Sequence, residues 1–110
     1  MKYIALLLFS IFINAYGINK QITLSKDNHI SITTDINEDS INDAIKSLTT
    51  LEKNRKNIYL YIDSPGGTVH DGNRLIEYIN YLQVQNITVD CIARNAFSMA
   101  FYIFQNCDSR

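Results

Sequence analysis

Two short segments of this chain carry the residue types that could do chemistry. One is Pro65-Gly66-Gly67, and the other is Ser98 followed directly by Met99. A serine hydroxyl is a nucleophile once a base takes its proton, and glycines let backbone N–H groups face a cleft. Together the two segments predict a nucleophile, the Ser98 hydroxyl, and two amides, of Gly67 and Met99, that stabilise an oxyanion.

Each segment also has an ordinary structural explanation. A Pro-Gly-Gly sequence is usually only a turn, and a serine before a helix is usually an N-cap. Chemistry is favoured by their placement, because each segment follows a buried strand and one helix lies between them. Ligand sites in open α/β sheets form beyond the carboxyl ends of the strands.

The apolar pattern predicts strands and helices in alternation. Alternating residues favour short strands over 21–25 and 29–34, on either side of a turn at 26–28, and apolar runs favour strands buried on both faces over 58–62 and 87–92. Helical spacing predicts helices over 41–54, 69–82 and 98–104. This order predicts an α/β domain with a parallel sheet and right-handed crossover helices.

The composition excludes several classes of protein. The 110 residues allow one domain, and a formal charge of -1 gives no electrostatic signature of nucleic-acid binding. Two cysteines and two histidines at scattered positions do not make a zinc framework, so neither a metal nor another cofactor is expected. Cys91 lies in an apolar run that favours a free buried thiol, although an exported chain could join it to Cys107.

The first 17 residues differ from the rest. Lys2 precedes an apolar stretch over 4–13, and small residues follow at Ala15 and Gly17. This arrangement predicts a cleaved signal peptide over 1–17, with a hydrophobic anchor or a buried helix as alternatives, and leaves a domain over 18–110. The chain is therefore expected to be secreted or membrane-associated, and cytoplasmic if the segment is not a signal.

The motifs resemble the proteolytic subunit of Clp protease, a member of the ClpP/crotonase superfamily. That family carries a Tyr-Ile-Asn-Ser-Pro-Gly-Gly-Ser-Val segment, similar to residues 57–69 here, and an Ala-Ser-Met-Gly turn, similar to residues 97–100. The resemblance covers about residues 29–110 and implies the N-terminal part of a ββα superhelix. Asp63 stands where the family has asparagine, and Phe97 stands where it has a small residue.

The resemblance implies a serine endopeptidase that hydrolyses peptide bonds. Ser98 matches the nucleophile, and Gly67 and Met99 match the oxyanion-hole amides. Gly66, Thr68 and Val69 match the strand that pairs with an extended peptide substrate. The implied partners are a peptide or an unfolded protein, further copies of the chain in a ring, and an unfoldase, but no nucleic acid.

The general base is the main departure from the family. Its histidine follows the helix that the nucleophile begins, at a position after Arg110. The chain is therefore expected to be either a truncated part of a longer protease or a degenerate copy, and to be inactive as 110 residues. His70 is a weak candidate to replace this general base. One alternative is a signal-peptide-peptidase-like protein with a lysine base beyond Arg110, and another is an inactive module that binds a peptide or a partner.

Overall fold

The computed structural model describes residues 21–110 and shows strands and helices in strict alternation. The elements are β1 (His29–Ile32), α1 (Glu38–Leu51), β2 (Asn57–Ser64), α2 (Val69–Val84), β3 (Thr88–Ala96) and α3 (Met99–Gln105). The strands form a parallel sheet in the order β1-β2-β3. The predicted α/β class and the parallel pairing of β2 with β3 are confirmed, whereas the predicted signal peptide lies outside the described residues.

The predicted strand over 21–25 is wrong. The Asn28 side chain accepts a hydrogen bond from Ser25 N at 2.8 Å and donates to Thr23 O at 2.9 Å. These bonds occupy Ser25 N and Thr23 O, which a strand would use to pair with a neighbouring strand. The predicted turn at 26–28 is confirmed. β1 also ends at Ile32, two residues earlier than predicted, and β3 continues to Ala96, four residues further than predicted.

Helix α1 begins with a complete capping box. The Asn37 side chain accepts from Ser40 N at 2.9 Å, and Ser40 Oγ accepts from Asn37 N at 3.0 Å. Two backbone N–H groups that lack helical partners are thereby satisfied. The buried face of α1 carries Ile41, Ala44 and Leu48, and the helix packs on β1 and α2.

The sheet is covered more completely on one face than on the other. In β2, Ile58, Leu60 and Ile62 are fully buried, whereas Tyr59 and Tyr61 between them are half-buried. Each fully buried aliphatic side chain contributes roughly 1.5–3 kcal/mol relative to an exposed one. The prediction that β2 is covered on both faces is therefore wrong, and tyrosines suit the second face because their hydroxyl tolerates water.

The pairing of β2 with β3 brings their carboxyl ends to the same edge of the sheet. Ser64 at the end of β2 lies opposite Ala96 at the end of β3. Between the Ile62–Ala93 and Asp63–Asn95 pairs the register shifts by one residue, which makes Arg94 the extra residue of a β-bulge. A bulge bends its strand, so β3 changes direction just before the turn that carries Ser98.

No helix within residues 21–110 is both long and apolar enough to cross a bilayer.

Candidate functional site

The turn after β2 and the turn after β3 lie in direct contact. Phe97 N donates to Ser64 O at 3.2 Å, which joins the two turns at their base. A Cβ placed on Gly66 would lie 2.8 Å from Ser98 Cβ and 2.7 Å from Phe97 O. Gly66 also has a φ of 103°, so both its backbone conformation and the space beside it require glycine. The structure thus brings the two predicted segments together.

Ser98 has an unusual backbone conformation. Its φ is 52° and its ψ is -124°, outside the regions that residues with a side chain normally occupy. Although Ser98 stands at the N-cap of α3, its side chain makes no capping hydrogen bond, and the residue is exposed. Sparsely populated conformations of this kind cost about 1–3 kcal/mol and cluster at functional sites. A serine in a sharp strand-to-helix turn is also the arrangement of the nucleophile elbow in other hydrolases.

Gly67 is clamped on one side by Ile36. Ile36 N donates to Gly66 O at 2.8 Å, and Thr68 N donates to Ile36 O at 2.9 Å, which makes a parallel bridge between Ile36 and Gly67. In an extended segment, neighbouring residues direct their backbone groups to opposite edges. The N–H of Gly67 therefore points away from Ile36, to the side on which β3 and Ser98 lie. It has no acceptor within residues 21–110.

A side chain at Gly67 would collide with the same clamp. A Cβ there would lie 2.0 Å from Ile36 O, closer than any real contact. Glycine is thus required at this position by the approach of the Ile36 backbone.

Met99 begins helix α3 and has a fixed position. Its side chain is buried and packs on Gly72 of α2, where an added Cβ would lie 2.3 Å from Met99 Cγ. Its N–H belongs to the first turn of the helix, where no helical acceptor exists, and has no other acceptor among the described residues. The N–H groups of Gly67 and Met99 are thus donors without an acceptor within residues 21–110, and they belong to the two turns that meet at Gly66 and Ser98.

Ser64 is a site residue that the sequence-based prediction missed. Its side chain is buried, donates to Thr34 O at 2.7 Å and accepts from Gly66 N at 3.1 Å. The hydroxyl therefore ties the glycine turn to the segment after β1. A serine at the end of a strand and directly before Pro-Gly-Gly was the available signal, since a hydroxyl there satisfies turn amides.

Asp71, in the first turn of α2, was also missed. Its buried carboxylate accepts hydrogen bonds from the Thr68 hydroxyl and from Arg74 Nη1, the latter at 3.2 Å. Arg74 Nη2 also donates to Asn42 Oδ1 at 2.5 Å, which links α2 to α1. The Thr68 hydrogen bond, supported by Arg74 and by the charge of His70, lowers the pKa of Asp71 below its usual 3.8 despite the opposing effect of burial.

The predicted substrate strand is shorter than expected. Gly67 forms a single β-bridge, and Val69 already begins helix α2. Thr68 N is bonded to Ile36 O, and the Thr68 side chain is bonded to Asp71. Thr68 is thus an exposed residue whose backbone N–H and hydroxyl are both bonded within the fold, and the Val69 side chain beside it is 65% exposed.

Neither histidine of the chain forms a hydrogen bond with Ser98. His29 lies at the start of β1, on the far side of β2 from β3, and its Nδ1 lies 2.5 Å from Ser25 O. His70 is exposed in the first turn of α2 and has no hydrogen-bond partner within residues 21–110. The described residues therefore provide no imidazole in contact with the Ser98 hydroxyl. No group of three or more His, Cys, Asp or Glu within the same residues could hold a metal ion.

The expectation of a free thiol at Cys91 is wrong, because Cys91 is disulfide-bonded to Cys107. The two residues are 16 apart in sequence and their Cα atoms are 5.8 Å apart. After α3 the chain turns back beside β3, where Asp90 and Ser109 form a parallel bridge. This return brings Cys107 beside Cys91, which a spacing of 16 residues alone does not predict.

An open groove of about 690 Å³ adjoins Ser98. Aromatic side chains form much of its wall, and its lining residues are Ala96, Phe97, Ser98, Phe101, Tyr102 and Gln105. Phe97 is 60% exposed, so it stands beside Ser98 as a projecting wall. On its other side Phe97 lines a smaller groove with Pro65 and Asn95, whose amide donates to Asp63 Oδ1 at 3.0 Å.

A family comparison decides what kind of domain this is. The sequence model of the family described as Clp protease matches residues 14–109. The chain belongs to the Clp protease family. A curated relative, the ATP-dependent Clp protease proteolytic subunit of Streptococcus mutans, is 36% identical over 74 residues, which are 64% of this chain and 38% of that protein.

Solved structures agree with this assignment to the Clp protease family. The ClpP protease catalytic domain from Plasmodium falciparum is similar with a TM-score of 0.69 and 28% identity, over 76% of this chain and 47% of that one. ClpP1 from Listeria monocytogenes is similar with a TM-score of 0.66 and 25% identity, over 72% of this chain and 46% of that one. This chain thus spans less than half the length of these relatives. The similarity does not favour the signal-peptide-peptidase or binding-module alternatives.

Proposed function

We propose that this Clp-type protease domain contributes the nucleophile and the oxyanion hole of a serine endopeptidase site. The observation that carries the proposal is the conformation of Ser98, whose hydroxyl is exposed, caps no helix and belongs to a turn in contact with Gly66. Met99 follows Ser98 and Gly67 follows Gly66, and the N–H groups of Gly67 and Met99 have no acceptor among the described residues.

The reaction is acyl transfer to Ser98. A base removes the hydroxyl proton while Oγ attacks a peptide carbonyl carbon, and the carbonyl oxygen becomes an oxyanion held by Gly67 N–H and Met99 N–H. The C–N bond then breaks, and the base returns the proton to the leaving amine. Water, deprotonated by the same base, cleaves the acyl-serine ester and restores the hydroxyl.

The base of this reaction comes from a strand that continues beyond Ser109. The Asp90–Ser109 bridge is parallel, so a strand that continued from it would run with β3 to the edge at which Ser98 stands. A histidine at the end of such a strand, as the family resemblance implies, would lie on the open side of Ser98. Triad members act as a unit, so without it the 110 residues are expected to be inactive.

The substrate is a peptide or an unfolded protein in an extended conformation. The backbone groups of Gly66 are bonded to Ser64 Oγ and Ile36 N, so Gly67 provides the short backbone edge for pairing. Such pairing binds many sequences with little regard to side chains. Val69 borders this edge with an exposed side chain, and the hydroxyl of Thr68 next to it is bonded to Asp71, which holds this segment in place. A ring of identical subunits and an unfoldase complete the proposal, as partners of the whole protein.

Export from the cytoplasm is part of the proposal. The segment over 1–17 has the pattern of a signal peptide, and a disulfide such as Cys91–Cys107 persists in an oxidising compartment. Secretion or attachment to a membrane is thus favoured, and a cytoplasmic location applies if the segment is not a signal.

A fluorophosphonate probe tests the function. The 110-residue chain and a chain extended by the following strand are each incubated with the probe, and the adducts are measured by intact mass. The extended chain is expected to be labelled stoichiometrically and the 110-residue chain not at all, with Ser98→Ala as the negative control and Ser31→Ala, an exposed serine of β1, as the matched control. Labelling that persists in Ser98→Ala contradicts the assignment, and full labelling of the 110-residue chain shows that the base lies within it.

A further inference from the structure

The Cys91–Cys107 disulfide encloses the Ser98 turn. Cys91 is in the middle of β3, and Cys107 is the second residue after the end of α3. The closed loop between them contains the bulge at Arg94, the turn at Ser98 and the whole of α3. The proposed nucleophile therefore lies on a segment fixed covalently at both ends.

Helix α3 is too short to hold this segment by itself. It has seven residues, and isolated helices shorter than roughly 12–15 residues are marginal in water. Its first turn has no side-chain cap, and Phe101 and Tyr102 on its outer face are exposed rather than packed. The position of α3 thus depends on its buried face and on what holds its two ends.

The strained backbone of Ser98 is a second reason why both ends of this segment must be held in place. A residue with a φ of 52° relaxes to an ordinary conformation unless the surrounding structure prevents it. The β3 end of the turn is fixed by the Phe97–Ser64 hydrogen bond of 3.2 Å. The other end needs a fixed point as well, because α3 could otherwise swing and release the strain.

Hydrogen bonds bring the two cysteines together at that other end. Asp108 N donates to Val89 O and Cys91 N donates to Ser109 O, both at 2.8 Å. The Asp108 carboxylate also accepts from Val89 N at 2.6 Å. These bonds place Cys107 beside Cys91, and the disulfide then makes the arrangement permanent.

We propose that the Cys91–Cys107 disulfide is a positioning element for Ser98, which keeps the turn in its strained conformation. Its connection with catalysis rests on the proposed function, whereas its effect on the Ser98 turn does not. Reduction by a dithiol transfers two electrons and two protons to the bridge, yields two thiols and leaves the reductant as a disulfide. Because Cys91 and Cys107 are only 4% and 8% exposed, a thiolate reaches the sulfurs poorly in the folded chain. The bridge is thus a lasting staple.

The expected size of the effect follows from loop closure. A disulfide that closes a loop of about 15 residues shifts the opening equilibrium by roughly 100-fold, because the open state loses chain entropy. Removal of the bridge should therefore accelerate amide exchange in the Ser98 turn and α3 by up to ~100-fold, if these residues open as a unit.

Hydrogen exchange of the 110-residue chain tests the proposal. The oxidised chain is compared with the double variant Cys91→Ala/Cys107→Ala and with Ile41→Val. Ile41 lies in α1, which packs on β1 and α2 and is outside the enclosed loop, so this control weakens the fold elsewhere. We expect the double variant to accelerate exchange over 97–105 far more than in α1, and Ile41→Val to show no such preference. The ¹³C shifts of Ser98 should also move towards ordinary values in the double variant alone.

Two results would overturn the proposal. One is exchange over 97–105 that changes by the same factor as exchange in α1, with unchanged Ser98 shifts. The other is a non-reducing peptide map in which both thiols are free while the turn is protected. If the double variant does not fold, the single variant Cys107→Ala, which also lacks the bridge but keeps the buried Cys91 side chain, is measured in its place. The two proposals can fail separately. If the extended chain is not labelled by the probe, but the double variant still accelerates exchange more over 97–105 than in α1, the proposed function is rejected and the positioning role is retained.

Discussion

Helices α1 and α3 both begin after a small polar residue, yet the two starts are built differently. Asn37 before α1 has an extended backbone and exchanges side-chain hydrogen bonds with Ser40. Ser98 before α3 has a φ of 52° and no capping hydrogen bond. At α1 the polar side chain completes the helix, whereas at α3 it stands free and exposed.

The difference separates a structural role from a chemical one. A side chain that caps a helix has its oxygen occupied, and its loss is felt as lost stability. The Ser98 hydroxyl has no hydrogen-bond partner within residues 21–110, and the backbone conformation of Ser98 raises the free energy of the folded state. The proposed chemistry at the hydroxyl accounts for a serine in this costly conformation, and substitutions at the two helix starts should therefore have opposite effects on stability and activity.

The largest expected effect is on catalysis by an extended chain that carries the base. Ser98→Ala should lower kcat for peptide hydrolysis by at least ~10³-fold, because the nucleophile acts with the base as a unit. Asn37→Ala in the same chain should leave kcat within a fewfold, since it changes only the start of α1. A Ser98→Ala enzyme with near-normal kcat would assign the chemistry to another residue.

The next effect is on the contact between the two turns. Gly66→Ala should destabilise the chain by about 2–4 kcal/mol in urea unfolding, because its Cβ would collide with Ser98 and its φ is 103°. Gly72→Ala is the matched control, since it meets the Met99 side chain rather than backbone and gains helix propensity. Its cost should be about 0–2 kcal/mol. Equal costs at the two glycines would mean that the turns are not in tight contact.

A smaller effect distinguishes the two helix starts by stability alone. Asn37→Ala should cost about 1 kcal/mol and Asn37→Gly only a few tenths, because the cap is lost in the first and partly replaced in the second. At Ser98, Gly should be more stable than Ala by about 1 kcal/mol, because glycine adopts a positive φ without strain. Chemical denaturation of all four variants checks this. Equal stability of Ser98→Gly and Ser98→Ala would show that the backbone at this position is not strained.

The smallest effect concerns acid stability through Asp71. The Thr68 hydrogen bond holds the pKa of Asp71 below its usual 3.8 in the folded chain, so the charged carboxylate favours folding. This contribution is fully present above pH 3.8 and is lost as the pH falls towards the lowered pKa. Asp71→Asn should therefore flatten the fall in stability over that range, whereas Asp43→Asn on the exposed face of α1 should not. Identical acid unfolding curves for the two variants would contradict the stabilisation of the Asp71 carboxylate by Thr68 and Arg74.

Sequence patterns predicted the sheet and the helices because apolar spacing reports burial. The prediction for β2 failed in one respect. An unbroken apolar run from Ile58 to Ile62 does not show that the sheet face with Tyr59 and Tyr61 is only partly covered. The segment over 21–25 failed because alternation cannot show whether a partner strand exists. Local side-chain hydrogen bonds from Asn28 decided that case.

The site was predicted in its parts but not in its supports. Gly67, Ser98 and Met99 could be named as candidates because their residue types are tied to backbone geometry and nucleophilic chemistry, and their catalytic roles stay predictions. Ser64 and Asp71 were not, because their partners, Thr34 O and the Thr68 hydroxyl, are defined by three-dimensional contacts. The positive φ of Ser98 could not be predicted either, since a serine before a helix is normally an N-cap with an extended backbone.

The most direct test of the central claim is a crystal structure of the extended chain after reaction with the fluorophosphonate. The phosphorus should be bonded to Ser98 Oγ, and one phosphonyl oxygen should lie about 2.7–3.1 Å from both Gly67 N and Met99 N. That result would show the nucleophile and both donors acting on one atom. A phosphonyl oxygen that faces solvent, or an adduct on a residue other than Ser98, would contradict the account.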